Sequence, residues 1–151
     1  MSYVNKNLLN DEKVIHKASI HWFIFIPSII AFALSIFLIG QKEGVNAFGA
    51  FLFMFSIYMF IKAFVIRKTT ELAVTSKRII AKTGFIRRNT VELNHNKVES
   101  FIIDQSILGR IFGFGTLIIN GTGGGKTPIP NIDAPLIFRK EAMQAIDTQQ
   151  N

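Results

Sequence analysis

Two long stretches without charge, almost back to back, limit this chain more than any other feature. The first, WFIFIPSIIAFALSIFLIG at Trp22–Gly40, runs nineteen residues without a charge, and its apolar residues fall on every side of a helix instead of one stripe. It holds twelve Leu, Ile or Phe residues between Phe23 and Ile39. At about −0.3 to −0.6 kcal/mol each, these favour insertion into a bilayer by about 4 to 7 kcal/mol, enough to outweigh Pro27 and two serines. The second, AFGAFLFMFSIYMFIKAFVI at Ala47–Ile66, is interrupted only by Lys62. A chain of 151 residues is too short to surround two helices that are apolar all round. Membrane spans at about 21–40 and 47–66 are therefore expected. A cleaved leader is not, because Asp11 and Glu12 precede the first run, no small-residue cleavage site follows it, and a second apolar run does.

The six residues QKEGVN between the runs cannot form a domain, so the spans make a hairpin and place both flanking segments on one side. Lys13, Lys17, Arg67 and Lys68 flank the hairpin's open end, against Lys42 alone in its loop, which makes that side cytoplasmic. Lys62 lies four residues before Ile66, about 6 Å from the expected helix end, within reach of a snorkelling ammonium. Trp22, Lys62, Arg67 and Lys68 are the expected membrane anchors. Ten of the fifteen phenylalanines fall before residue 67, so the chain divides into a hydrocarbon-like half and a second half of different character.

After Arg67 and Lys68 the periodicity becomes strand-like. TTELAVT, KRIIAKTGFI, NTVELN, VESFIID and GTLIING are short, rich in Val, Ile, Thr and Phe, and separated by turn signals. IDAPLIFRKEAMQAI then reads as a closing helix, with Asp133 as N-cap, Pro135 in the first turn, and Leu136, Ile137, Met143 and Ile146 as the stripe facing the sheet. The expected organisation is an N-terminal cytoplasmic arm (1–19), a transmembrane hairpin (20–66), a cytoplasmic domain (67–147) and a short tail (148–151). The fold class is α+β, with antiparallel strands forming a small barrel or sandwich closed by a C-terminal helix.

The motifs of this second half resemble those of the membrane-anchored bacterial pleckstrin-homology (PH)-like domains of the YdbS-like type. The likeness is carried by T-S-K-R-I-I at 75–80, G-x-I-x-R-x-T-x-E-L at 84–93, V-E-S at 98–100, Q-S-x-L-G-R-I-F-G-F-G-T at 105–116, and G-T-G-G ahead of the run from Ile132 to Arg139. The resemblance implies a PH-like fold preceded by a two-helix hairpin, and a place at a bacterial cytoplasmic membrane. It implies a location more than an activity. Eukaryotic PH domains that bind phosphoinositides carry K-x(n)-K/R-x-R across their first strand pair. Here Lys77, Arg78 and Lys82 are present in that region, but no K/R-x-R follows Lys77, so that specificity is not carried over.

The sequence pattern offers little chemistry. GTGGGKT at 121–127 superficially matches a phosphate loop, but Asn120 stands where the first glycine belongs, and Pro128 and Pro130 exclude the helix such a loop requires. The resemblance puts this run where the family turns between two late strands, which implies a glycine hairpin, with anion capture by a nest of backbone amides as the alternative. His16 and His21 are too far around a helix to share a metal, His95 lies in a polar turn, and all three are expected to be interfacial or solvated. With no cysteine and no paired carboxylates, neither catalytic, cofactor-binding nor metal residues are assigned. The basic residues are too dispersed for nucleic acid.

Residues 67–151 hold twelve Lys and Arg against seven Asp and Glu, net +5. Lys77, Arg78, Arg87 and Arg88, at the first two strand turns, are the candidate contacts to anionic headgroups. Two non-enzymatic roles remain: contact with membrane lipids through these residues, or assembly with another copy or another membrane protein. No nucleotide or nucleic acid is expected as partner.

Overall fold

The computed structural model describes residues 3–41, 43–85 and 88–150. From the N-terminus the chain forms α1 (Tyr3–Lys6) and β1 (Val14–Ala18), then a 3-10 turn (Trp22–Phe25) leading into α2 (Ile26–Leu38), and then α3 (Glu43–Thr69). It continues as β2 (Glu71–Thr75), β3 (Arg78–Thr83), β4 (Asn89–Asn94), β5 (Val98–Asp104), α4 (Ile107–Phe112), β6 (Phe114–Gly121), β7 (Lys126–Asp133) and α5 (Pro135–Gln150). Two compact units result: the segments before Trp22 and from Thr69 onward make one, and Trp22–Lys68 makes the other.

The helical unit is an antiparallel pair. Phe25 meets Phe60 and Phe32 meets Phe53, with ring centroids 5.2 and 5.4 Å apart. The residues it buries are small: Ser28 and Ser35 on α2, and Gly49, Ser56 and Ala63 on α3, both sets recurring every seven positions. Each serine hydroxyl donates to the carbonyl three residues earlier, at 2.6 to 2.7 Å, so no side chain from the other helix is needed to satisfy it. A side chain at Gly49 would run into Ile39 at 3.0 Å. Among the described residues one helix, Gly44–Thr69, is long and apolar enough to cross a membrane, and Trp22–Leu38 is apolar but shorter. The first of the two expected spans is thus cut short at Leu38, where Ile39 caps the helix and Gly40 and Gln41 turn away.

In the other unit, β1-β2-β3-β4 form one antiparallel sheet and β5-β6-β7 a second. The two do not close into a barrel. Outside the named strands they meet at a bridge between Ile20 and Ile132, flanked by bonds from His21 N–H to the Asn131 carbonyl (2.7 Å) and from Asp133 N–H to the Ser19 carbonyl (2.9 Å). The core between the sheets holds Ile20, Leu72, Val74, Ile79, Leu117 and Ile129, all almost fully buried. The closing helix is present, but its buried stripe is Phe138, Ala142 and Ala145, whereas Leu136, Ile137 and Met143 are half exposed. The helix is therefore rotated from the expected phase. Two alanines allow a close approach to the strands that the larger residues would block. Nor does Asp133 cap it, since Asp133 ends β7 and Ala134, at φ 45°, makes the turn.

The N-terminal segment is not a separate arm. β1 pairs antiparallel with β2, from Val14–Thr75 to Ala18–Leu72, and completes the first sheet. Residues 3–13 fold over that sheet's outer face, where Val4 packs on Ala73 and Ile80, edged by Tyr3, Leu8 and Val14. Glu12 is buried. Its Oε1 accepts from Thr75 Oγ1 (2.7 Å) and Arg78 Nε (3.0 Å), and its Oε2 from Leu9 N–H (2.6 Å) and Arg78 Nη2 (3.1 Å). Burial by itself raises the carboxyl pKa, but the Leu9, Thr75 and Arg78 contacts outweigh it and hold Glu12 below its ordinary value.

A depressed carboxylate stabilises the fold fully above its unfolded pKa, near 4.5, and loses that contribution as pH falls through the lower folded value. Glu12→Gln should destabilise the protein at neutral pH by about 1–3 kcal/mol. It should also flatten the fall in stability below about pH 4.5 seen for the parent. Thermal unfolding of the detergent-solubilised chain across pH 3–7 checks this, and parallel curves for the two proteins would contradict it.

Candidate functional site

The two basic turns occupy opposite ends of the first sheet. Arg78 pairs with Asn94 and Thr83 with Asn89, so the Lys77–Arg78 turn and the turn after Thr83 are about 17 Å apart along β3. Register also tells which end is which. Ala18 pairs with Leu72 and Glu71 with Lys82, so the chain leaves β1 for the apolar helices and returns from them into β2 at the Thr83 end. Phe85, 66% exposed, and Arg88, also exposed, stand at that end, while Lys77 and Arg78 stand at the far one. Arg87 lies outside the described residues.

Arg78 is committed within the fold. Besides its two bonds to Glu12, Nη1 reaches Glu92 at 2.6 Å and Nη2 donates to the Asn7 carbonyl at 2.7 Å. Removing it to a headgroup would leave Glu12 a buried, partly unpaired charge, a costly exchange. Lys77 is exposed, with Nζ donating to the Asn10 carbonyl at 2.7 Å. In the helical unit, Arg67 lies 5.8 Å from the Phe25 ring centroid and Lys68 5.8 Å from that of Phe64, so with exposed Trp22 they gather at the open end of the hairpin. Lys62, also exposed, is seven residues from the end of α3 at Thr69, about 10 Å and not 6 Å from the helix end.

The histidines are more enclosed than expected. His21 is buried, stacked on Phe114 at 5.3 Å with Nε2 3.9 Å from Asp133, and His95 is buried under the turn after β4. His16 packs its ring 5.9 Å from Phe138. Each therefore belongs to the packing of the sandwich. Among the described residues no three His, Cys, Asp or Glu side chains are grouped as metal ligands would be.

The glycine run forms the β6–β7 hairpin. Gly121 N–H donates to the Gly125 carbonyl, Gly124 N–H to the Gly121 carbonyl and Thr122 N–H to the Lys97 carbonyl, each at 2.9 Å. Gly124 sits at φ 75°, a conformation that glycine adopts without strain. Three of the amides that a phosphate would need are thus used by the chain itself, and a strand follows in place of a helix. β7 accommodates Pro128 and Pro130 on the side of the sheet away from β6's other neighbour, an edge position where a missing donor is tolerated.

The motif from Gln105 to Thr116 builds a small projecting helix that the strand-like reading missed. Ser106 caps α4 by accepting from Gly109 N–H at 3.1 Å, and Gly113 ends it in the left-handed conformation. Gln105 Nε2 donates to the Phe114 carbonyl at 2.9 Å, and that carbonyl leaves only 2.6 Å to any Cβ placed at Gly109. The motif residues are thus spent on holding the loop's shape. Ile107, Leu108 and Ile111 are left facing outward, 78%, 51% and 69% exposed.

Because the hairpin amides are internally bonded, Lys126→Ala is expected to leave stability almost unchanged and to reveal no nucleotide binding to lose. Calorimetric titration of ATP and GTP into parent and variant tests this. Micromolar affinity in the parent that disappears in the variant would contradict the geometry.

No curated protein and no solved structure matches the chain. A family model described as "Bacterial PH domain" matches residues 19–151, taking in the apolar hairpin, β2 to β7 and α5. The match starts after β1, so the strand that completes the first sheet and the segment covering it lie outside the matched span. PH-like domains are in general non-catalytic binding modules. The order of its strands, the closing helix and this match together place the chain in the bacterial PH domain family.

Proposed function

We propose that the chain is a membrane-anchored, non-enzymatic PH-like module, held by its helical hairpin in the bacterial cytoplasmic membrane with both termini in the cytoplasm. The observation that carries this reading is the inverted packing of the hairpin. It buries serine, glycine and alanine and turns Phe37, Phe48, Phe51, Met54 and other large apolar residues outward. A hairpin in water does the reverse, because large apolar side chains are what water drives inward. In lipid the outer face gains nothing by burial, and small residues let the helices approach. The serine hydroxyls bonded back to their own helices suit a medium that supplies no donors or acceptors. α3, about 39 Å long, exceeds a hydrocarbon core of about 30 Å, whereas Trp22–Leu38, about 26 Å, falls slightly short and would rely on Trp22 at the interface.

The chain has no cysteine, so single cysteines report topology directly. Gly44→Cys should react with an impermeant thiol reagent in intact cells, and Thr148→Cys only after permeabilisation. The opposite pattern would refute the orientation.

Within this reading, anionic headgroup contact falls to Arg88 with Phe85, at the end of the sheet where the chain passes to the apolar helices, and not to Lys77 and Arg78. Assembly with a second copy or another membrane protein is the alternative, favoured by the commitment of Arg78 to Glu12 and Glu92. Replacing residues 22–68 with a short flexible linker keeps β1 beside β2, because Ala18 and Leu72 are already paired. In that background Arg88→Ala should weaken binding to anionic vesicles roughly fivefold, about 1 kcal/mol for one basic contact. Lys77→Ala should have little effect. Equal binding to neutral and anionic vesicles would eliminate headgroup contact and leave assembly.

A further inference from the structure

The projecting helix α4 has no role in the anchor or at the basic turns. Its outward residues Ile107, Leu108 and Ile111 continue onto the first turn of α5, where Leu136 and Ile137 are each about half exposed. The two elements are joined by a bond from Ala134 N–H to the Gly113 carbonyl at 2.8 Å, and Pro135 packs beside Gly115. Basic side chains accompany the patch: Arg110 on α4 and Lys140 on α5, both exposed. No acidic residue occurs between Gln105 and Phe114, although Asp104 and Asp133, both exposed, border the patch. Phe114, just after the Gly113 cap, stacks on His21, the last residue before Trp22.

We propose that α4, with the first turn of α5, is a second membrane contact that lays its aliphatic residues into the interface of an anionic leaflet while Arg110 meets the headgroups. The proposal rests on the membrane-anchor reading above. Aliphatic side chains with a neighbouring arginine on the same short helix match an interface that is apolar below and anionic above. The rigid framework of Ser106, Gly109 and Gln105 presents those side chains at no further cost in ordering. It also gives the Gln105–Thr116 motif a purpose beyond shape, which is to hold a short apolar helix away from the sheet.

The test uses the full chain in vesicles of phosphatidylcholine and phosphatidylglycerol, with single cysteines at Ile111 or Leu108, and at Gly123 in the β6–β7 hairpin as reference. Each is labelled with the environment-sensitive dye NBD. Flotation of the vesicles first establishes that the chain is inserted. The expected result is a blue-shifted emission at 108 and 111, quenched by doxyl-labelled lipids, with 123 unshifted and unquenched. Arg110→Glu should abolish the shift. A floated chain with water-like emission at both 108 and 111 overturns the proposal and leaves the anchor standing. A blue shift that lipid quenchers do not touch, and that grows with protein density, also overturns it and assigns the patch to a second copy. A chain that fails to float removes the anchor reading and this proposal together.

Discussion

Pairing of β1 with β2 is the constraint on which the domain depends. Between Ala18 and Leu72, which face each other in the ladder, the chain runs through the entire apolar hairpin. Closing so long a loop has an entropic cost, and that cost grows only slowly with length. An antiparallel helix pair reduces it further by returning the chain to where it left. The four-stranded sheet, the Ile20–Ile132 bridge to the second sheet and the cover over the outer face all follow from this one juxtaposition. It also explains why the basic turns are unequal. The register that puts Ala18 beside Leu72 puts Phe85 and Arg88 at that same end of the sheet and sends Lys77 and Arg78 to the other.

What the sequence reveals is largely what local pattern can carry. The two apolar runs, the strands from Glu71 to Gly121 and the terminal helix follow from hydrophobic periodicity and turn residues. The errors have non-local causes. VIHKA at 14–18 is too short and too polar to announce a strand, and its partner lies beyond the hairpin. In α5, weighting by size favours Leu136, Ile137 and Met143, whereas close packing selects Phe138 with two alanines. α4 is six residues long, with Gly109 inside it and Gly113 at its end, below the length at which periodicity means anything.

The site residues divide the same way. Charge is visible in a sequence and its partner is not. Arg78 looks as available as Arg88 until Glu12, sixty-six positions earlier, is brought against it. Thr75 sits between them, its hydroxyl accepting from Arg78 N–H at 3.0 Å while lying 2.7 Å from the Glu12 carboxylate. T-S-K-R in the family-like motif is thus in part a turn that seats an arginine for an internal carboxylate. The glycine run, by contrast, was legible in both respects, because the prolines that bar a helix are adjacent to it.

The order in which the chain is made gives the β1–β2 pairing a further consequence. β1 leaves the ribosome first, and Thr75, the last residue of β2, follows only after fifty-seven more residues. At about 5–20 residues per second, that is an interval of roughly 3–11 s. Throughout it the N-terminal segment has no sheet to join, and Glu12 has no arginine. Its composition suits such a wait: Lys13 precedes the strand, His16 and Lys17 punctuate it, and the aliphatic residues between them are too few to form an adhesive run. The most hydrophobic part of the chain is thus synthesised while the first strand of the domain is still unpaired, and the sandwich can be completed only from the C-terminal side.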